Sequence, residues 1–583
     1  MDVLVGPEQS AFVPGRNIHD NTILAQEIIR GYGQKQISSR CMMKLDLRKA
    51  YDSVQWSFLE HLLRAYGFPN IFVGWIMACI QTVSYRICIN GQVTDCFPAK
   101  KGLRQGCPAS PYLFVLAIEY LSRMLKNLHL HKDFRYHPCC APLKINHLSF
   151  EDDLLLFSKG TMKSISSMLQ AFDNFSLTSG LQANLDKSEI YFAGITEVKR
   201  RDITTAVGLR EGSLPFKYLG VPLSSKRLSI AQFQPLFDKL LGKIRHWTSK
   251  FLSYGGRLQL VQSVLYAVQN FWSQIFCFPN RVMKMINTIC RQFLWSGDAA
   301  GRKSPVAWDI VCRPKSEEGL GLAHLETWNR VCFLKMLWEI HLKADKLWIK
   351  WIHHFYVKDH DVMQMEVPSH ASFLFKKILK MRDKVQQNGD WEQQLQEQIF
   401  RRRDMYDILR GHKEKMGWKE LVLQNLASPR AKMVLWLVLW ERVATKERLA
   451  HIHIPVPDTL CPFYKNEVET LPHVIYECQE VRPLWTSLYR WLGRNTPNPN
   501  WAQFLPQLCD DVKGKKPSSK ALKGLVTELV YSIWQDRNRR VFEDTHLEAQ
   551  IILKQVVQKI IVRCSGDTKI SSFFKKLRSF PVV

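Results

Sequence analysis

The stretch Ile145–Ser158, INHLSFEDDLLLFS, decides how this chain is read. Two apolar runs of strand length flank an acidic tip of Glu151, Asp152 and Asp153. Short runs of Leu, Ile and Phe bounded by a polar tip predict a tight β-hairpin. Carboxylates side by side at a turn raise one another's pKa, because each disfavours the charge of the next. Divalent cations relieve that conflict, and Mg²⁺ favours carboxylate and phosphate oxygens. An acid pair alone has the look of any charged turn, so its company in the chain has to decide.

Upstream, QSAFVPGRNIHDN turns at Pro14-Gly15, and Asn17 or Asp20 can cap a helix bearing Ile23, Leu24 and Ile28. A short strand, Cys41 to Asp46, follows. RKAYDSVQW then leads into a helix with Trp56, Leu59, Leu62 and Leu63 that stops at Gly67 and Pro69. Asp52 reads as the cap of that helix. A second helix carries Phe72, Trp75, Ile76 and Cys79, and Tyr85 to Phe97 is a hairpin turning at Asn90-Gly91. In KKGLRQGCPASPYLF, Gly102 and Gly106 permit close backbone approach, and Ser110 and Pro111 read as N-cap and N1 of a helix. Beyond the acidic hairpin come a helix with Ile165, Met168, Leu169 and Phe172 and a strand, EIYFA, ending at Gly194. The order β-α-β-β-α-β predicts an α+β, ferredoxin-like split βαβ arrangement. In it the strand ending at Asp46 lies beside the hairpin, so Asp46 can share cations with Asp152 and Asp153.

Composition narrows the partner. A formal net charge of +28 over 583 residues puts a polyanion first, nucleic acid above all. No apolar run approaches the roughly 18 residues that span a bilayer. The start, MDVLVGPEQS, lacks a basic region followed by an apolar one, which argues against secretion. The 15 scattered cysteines read as reduced thiols, mostly in the core.

Taken together, QSAFVPGRNIHDN, KLDLRKAYDSVQW, GLRQGCPASPYLF, HLSFEDDLLLF, GLQANLDKSEI and LPFKYLGVPL resemble, in order, the successive motifs of reverse transcriptases, and more narrowly those of plant non-LTR (LINE-type) retrotransposons. FLSYGGRLQLVQSVLYA and SEEGLGLAHLETWN resemble the downstream part of that family. The resemblance implies a right-hand polymerase that copies an RNA template into DNA from a DNA primer with dNTPs and two Mg²⁺ ions. It implies Asp46, Asp152 and Asp153 as catalytic metal ligands and Tyr51 as an aromatic gate against the ribose 2′-OH. Gln105 and Gly106 match the loop beneath template and nucleotide, Arg104 offers a phosphate contact, Lys187 sits near the triphosphate, and Lys217 to Gly220 match the turn that grips the primer. Action on chromosomal DNA implies the nucleus.

Three departures bear on activity. Glu151 stands where the family has a small or apolar residue, and its charge opposes incoming phosphates. The family's upstream finger motif and endonuclease do not precede QSAFVPGR, so the reading expects an N-terminally truncated element. The third is CPFYKNEVETLPHVIYEC, where the family carries C-x2-C-x8-H-x4-C. Here Cys461, His473 and Cys478 fit, but Tyr464 occupies the second position. Structural zinc is almost always four-coordinate, so three ligands make Zn²⁺ doubtful and favour a metal-free, hydrophobically packed remnant. The function read from the sequence is therefore RNA-directed DNA synthesis, the alternative being a catalytically inactive, nucleic-acid-binding remnant.

The expected organisation is fingers and palm over residues 1–225, a helical thumb over 226–300, and a helical connector over 301–424. A degenerate zinc-binding module over 425–495 and a basic helical tail over 496–583 complete it. MVLWLVLW (433–440) reads as a buried helix, Thr496 to Trp501 as a linker, Lys513 to Lys523 as a basic loop and Lys575 to Arg578 as a basic cluster.

Overall fold

The computed structural model describes residues 1, 3–34, 37–247, 252–298, 304–385, 389–411, 417–422, 424–514 and 516–577. Phe251, Lys515 and Arg578, each part of a segment named above, lie outside the described residues. The chain divides into two compact units. One comprises Met1–Gln232, Trp272–Cys277 and Asn329–Met405; the other comprises Phe233–Phe271, Phe278–Trp328 and Tyr406–Val583.

The first unit opens with helix α1 (Ile18–Ile29) and strand β1 (Arg40–Leu45). Helices α2 (Ala50–Ser53), α3 (Trp56–Ala65) and α4 (Asn70–Gln81) follow, then four two-residue strands, β2 (Ser84–Tyr85), β3 (Cys88–Ile89), β4 (Gln92–Val93) and β5 (Phe97–Pro98). The turn between β3 and β4 has φ of +50° at Asn90 and +85° at Gly91, the paired left-handed geometry that Asn-Gly supplies to hairpins. Next come α5 (Ser110–Asn127), β6 (His147–Phe150), β7 (Asp153–Lys159), α6 (Met162–Ser179), β8 (Glu189–Ala193) and α7 (Glu197–Val207). Strands β9 (Arg210–Glu211), β10 (Phe216–Tyr218) and β11 (Val221–Leu223) close the run.

Five strands form one sheet in the order β6-β7-β1-β8-β9. The pairs β6–β7, β7–β1 and β1–β8 are antiparallel. This is the strand order of the split βαβ arrangement, with α5 and α6 as its crossovers. One face of β1 and β7 (Met43, Leu45, Leu154, Leu156) packs with Phe114 of α5 and Met168 and Phe175 of α6 in a single core. Gly180 ends α6 with φ +79°, and a Cβ there would come within 2.7 Å of the Ser53 carbonyl oxygen. The approach of α6 to α2 therefore requires glycine.

The N-terminal segment is tied into this sheet. Ser149 of β6 donates its N–H to Glu8 O (3.0 Å) and accepts from Ser10 N (3.2 Å). Asn21 Nδ2 donates to Ser149 O at 2.7 Å. Arg16 donates to the carbonyls of Val5, Gly6 and Gln9, so the turn at Pro14-Gly15 is a fastening for the sheet edge. Asp20 reaches back to the Asn17 N–H at 3.0 Å. It also accepts from Lys346 Nζ (3.2 Å) and Trp348 Nε1 (2.9 Å), which docks the helix Leu347–Ile352 on α1 within the same unit.

Three local expectations are corrected. The stripe of α4 that turns inward is Val73, Met77 and Ile80, while Phe72, Trp75 and Cys79 are exposed. The helix has apolar residues all round, so periodicity alone could not choose its face. Helix α5 begins one residue early: Ala109 is its N-cap, and Pro111 falls second in the helix. Asp52 lies inside α2 and is exposed, and Gln55 precedes α3, so Asp52 caps nothing.

The second unit is helical. Its centre is the 26-residue helix Pro517–Phe542, against which Pro429–Leu439 and Ala549–Arg563 pack. Leu435, Trp436, Leu437, Val438 and Leu439 are buried there. Glu469 and Arg537 form a fully buried two-pronged ion pair (2.6 and 2.9 Å). The stretch read as a basic loop from Lys513 becomes helix at Pro517, and Lys523 is buried. Residues 496–500 are anchored rather than loose: Tyr476 donates its hydroxyl to Asn498 O, and Trp501 N donates to Glu477 Oε1 at 2.8 Å. All 15 cysteines are unpaired. Among the described residues, no helix is long and apolar enough to cross a membrane.

Candidate active site and metal pocket

Register assembles the acids. Leu45 of β1 pairs with Leu154 of β7, so one step on Asp46 faces Asp153. Opposed residues in an antiparallel pair have Cα atoms about 4.5–5.5 Å apart and side chains on one face. By alternation that face also carries Lys44 and is the one turned away from α5 and α6. Asp152 occupies the turn before β7, beside Glu151 at φ +58°.

The electrostatics are those of carboxylates short of counter-charge. Burial raises Asp153 to about 6, with Asp152, Asp46 and Glu151 adding to the rise and Lys44 opposing it. Asp152 is raised by burial and then by Glu151 and Asp46. Lys187 Nζ lies 4.0 Å from Asp46 Oδ2. Its loop is fixed to the Asp46 backbone: Asn184 N donates to Asp46 O (2.7 Å), and Asp46 N donates to Ser188 Oγ (3.1 Å).

Tyr51, from α2, donates its hydroxyl to Glu151 Oε1 at 2.5 Å, and its ring stacks on Phe114 with centroids 4.8 Å apart. The loop after β5 is tied to the same place. Leu103 N donates to Tyr51 O (2.7 Å), Gly102 N to Val54 O (2.8 Å) and Trp56 Nε1 to Gly102 O (2.7 Å). Gly102 has φ +90°, and the Asp52 backbone would lie 2.8 Å from a Cβ there. Arg104, Gln105 and Gly106 stay exposed on this loop, with open space around Gly106. Lys217 is exposed on the β10–β11 hairpin, and its carbonyl accepts from Lys44 Nζ at 3.1 Å.

Residues not singled out from the sequence complete the site. Gln9 Oε1 accepts from the Glu151 N–H at 3.2 Å. Tyr218 is buried beside Asp153. Lys44, Asn184 and Ser188 hold the acids or their neighbours from other strands and loops, and only their motif context could have marked them.

The second unit holds a different cluster. The ligand atoms of Cys461, His473 and Cys478 all lie within 4.8 Å of one another, and all three residues are buried. Cys461 and Cys478 sulfurs are 3.9 Å apart. Hydrogen bonding from the Cys478 thiol, and then from the Tyr464 and Phe463 N–H groups, lowers the Cys461 thiol below its ordinary value. The same hydrogen bond, with burial, pushes Cys478 up. Glu467 Oε2 lies 2.9 Å from His473 Nδ1, while His473 Nε2 is buried without a partner. An imidazole held by a carboxylate, with two thiols gathered around it, is the donor set of a thiolate-rich metal site.

Comparison with known proteins follows the same division. The family described as "Reverse transcriptase (RNA-dependent DNA polymerase)" matches residues 2–223. That segment is similar to a reverse transcriptase domain. The family "zinc-binding in reverse transcriptase" matches residues 400–485. With three buried ligands converging inside that match, the expectation of a metal-free, hydrophobically packed remnant is withdrawn. It rested on ligand count alone and missed the unpartnered imidazole nitrogen.

The chain is similar to the transposon TX1 uncharacterized 149 kDa protein of Xenopus laevis, 27% identical over 55% of this chain and 24% of that protein. It is similar to the retrovirus-related Pol polyprotein of the type-2 retrotransposable element R2DM of Drosophila melanogaster, 29% identical over 31% of this chain and 16% of that protein. It is also similar to the Pol polyprotein of the type-1 element R2 of Popillia japonica, 29% identical over 32% of this chain and 31% of that protein. The matched stretches thus span less than a third of each of these relatives.

Proposed function

We propose that the chain is the RNA-directed DNA polymerase of a non-LTR retrotransposon of LINE type and plant origin, extending a DNA primer on an RNA template with dNTPs. The observation that carries this reading is the meeting of Asp46 and the Asp152-Asp153 turn inside a reverse transcriptase domain. Their oxygen-only donors suit a hard cation, and the raised carboxyls mark where its charge would be welcome. Asp46, Asp152 and Asp153 would hold two Mg²⁺ ions, which when bound activate the primer 3′-OH and neutralise the leaving pyrophosphate.

The chain's own residues supply positioning. Lys187 and Lys44 place positive charge beside the acids, where a triphosphate would lie. Tyr51 walls the sugar side, Arg104, Gln105 and Gly106 present an open loop to template and nucleotide, and the β10–β11 turn at Lys217 to Gly220 holds the primer end. The five functional segments read from the sequence, the site at chromosomal DNA and the nuclear location belong to this proposal.

The test is primer extension with purified protein, RNA template, annealed DNA primer, dNTPs and Mg²⁺. Wild type extends the primer, and Asp152→Asn reduces extension to background. Salt-dependent RNA binding with no extension by wild type refutes the polymerase and leaves the nucleic-acid-binding remnant. In the second unit, Cys461, His473 and Cys478 would hold one Zn²⁺ through three protein ligands, with Tyr464 standing where the sequence pattern has a fourth.

A further inference from the structure

The contact between Tyr51 and Glu151 is required neither by the sheet nor by cation binding. Tyr51 is immobilised twice: its ring face lies on Phe114, nearly parallel at 17°, and its hydroxyl meets Glu151 at 2.5 Å. A hydroxyl donating to a carboxylate over this distance makes a charge-assisted bond, about twice as strong as a neutral one. Glu151 is itself held. It occupies the left-handed position of the β6–β7 turn, and Gln9 Oε1 receives its N–H. A small residue at position 151 would leave the Tyr51 hydroxyl to water and the ring free to swing about χ1 and χ2.

We infer that Glu151 is a positioning residue for sugar selection: it pins Tyr51 so that the ring fills the space a ribonucleotide 2′-OH would need. The inference rests on the polymerase reading and deepens it. Glu151 has a second, opposite effect. Its charge adds to three aspartates and opposes an arriving triphosphate. Position 151 thus couples a slower reaction to a stricter choice of sugar, and the two effects separate by mutation.

The experiment compares kcat/KM for a dNTP and for the matching rNTP on an RNA template with a DNA primer, in wild type, Glu151→Ala, Glu151→Gln and Tyr51→Phe. In Glu151→Ala, dNTP incorporation rises a few-fold as the repelling charge goes, while the dNTP/rNTP ratio falls about tenfold as the hydrogen bond is lost. Glu151→Gln keeps an acceptor oxygen, so it shows the same gain in rate with a ratio near wild type. Tyr51→Phe lowers the ratio as Glu151→Ala does, and combining the two lowers it no further. A merely structural role would depress rate and ratio together.

A ratio in Glu151→Ala within twofold of wild type overturns the inference. So does a ratio in Tyr51→Phe equal to wild type, which decides the matter if Glu151→Ala does not fold. Wild type that incorporates dNTPs with these ratios unmoved leaves the polymerase reading standing and removes only the role of Glu151. Wild type that incorporates nothing removes both.

Discussion

The acidic turn and the Cys-His-Cys pocket solve opposite problems. The three aspartates come from the ends of two neighbouring strands far apart in the chain, are half-buried, and are forced together by sheet register against their own repulsion. Cys461, His473 and Cys478 lie within one short stretch and are fully enclosed. They already satisfy each other by hydrogen bonding between the sulfurs and from nearby N–H groups. The first site is held by the fold and is electrostatically short of cations. The second is held by its own loop, with one imidazole nitrogen left over. A cation should therefore matter to reaction in the first place and to architecture in the second.

The largest effect expected is at the acids. Chelating Mg²⁺ from otherwise intact protein abolishes extension yet leaves the melting of the first unit within a degree or two, because the sheet does not need the cation; an equal loss of fold and activity would erase the contrast. Next comes the pocket. Cys478→Ala drops bound zinc, measured by elemental analysis, from one per chain to near none and lowers the melting temperature of the second unit, since structural zinc contributes folding energy directly. Unchanged metal content would show that the pocket does not bind zinc.

A smaller effect is expected at Glu467→Gln. It weakens zinc binding about 10- to 100-fold by removing the carboxylate that orients His473, read by competition with a chromophoric chelator. An affinity equal to wild type would make that ion pair incidental.

A further effect, on stability rather than on metal binding, is a pH dependence in the first unit. Burial lowers His147 to about 4 and His137 to about 3. Unfolded histidine takes its proton near pH 6.5. Between pH 6.5 and 4 the unfolded chain thus binds protons that the folded chain refuses. Stability falls with pH across that window, by about 1.4 kcal/mol per unit for each histidine. Asp153, raised to about 6, works in the opposite sense and offsets part of the loss. Denaturant titrations at pH 7 and pH 5 should show the decline, and His147→Gln should flatten it; parallel curves would assign the decline to other groups.

What the sequence disclosed, it disclosed through short-range pattern. The hairpin around Glu151, the strand ending at Leu45 and the two crossover helices each carry their own periodicity and stop signals, and their order selects the sheet. The pairing of Leu45 with Leu154 then follows. What stayed hidden depends on a partner distant in the chain. Nothing local says that the Tyr51 hydroxyl meets Glu151, that Gln9 braces the acidic turn, or that Ser188 holds Asp46. The inward face of α4 was hidden for another reason: its outer face is as apolar as its inner one, with Ile71 and Trp75 in solvent. The cysteine cluster shows the limit of counting. Three ligands in the sequence fall short of a zinc site, and only the fold brings the Glu467 carboxylate onto the His473 imidazole.

The seam where residues 8–10 line the outer margin of β6 has a mechanical corollary. The Gln9 side chain that seals this seam is also the brace of the acidic turn. Tension applied to residues 8–10 would therefore be transmitted to the reacting centre.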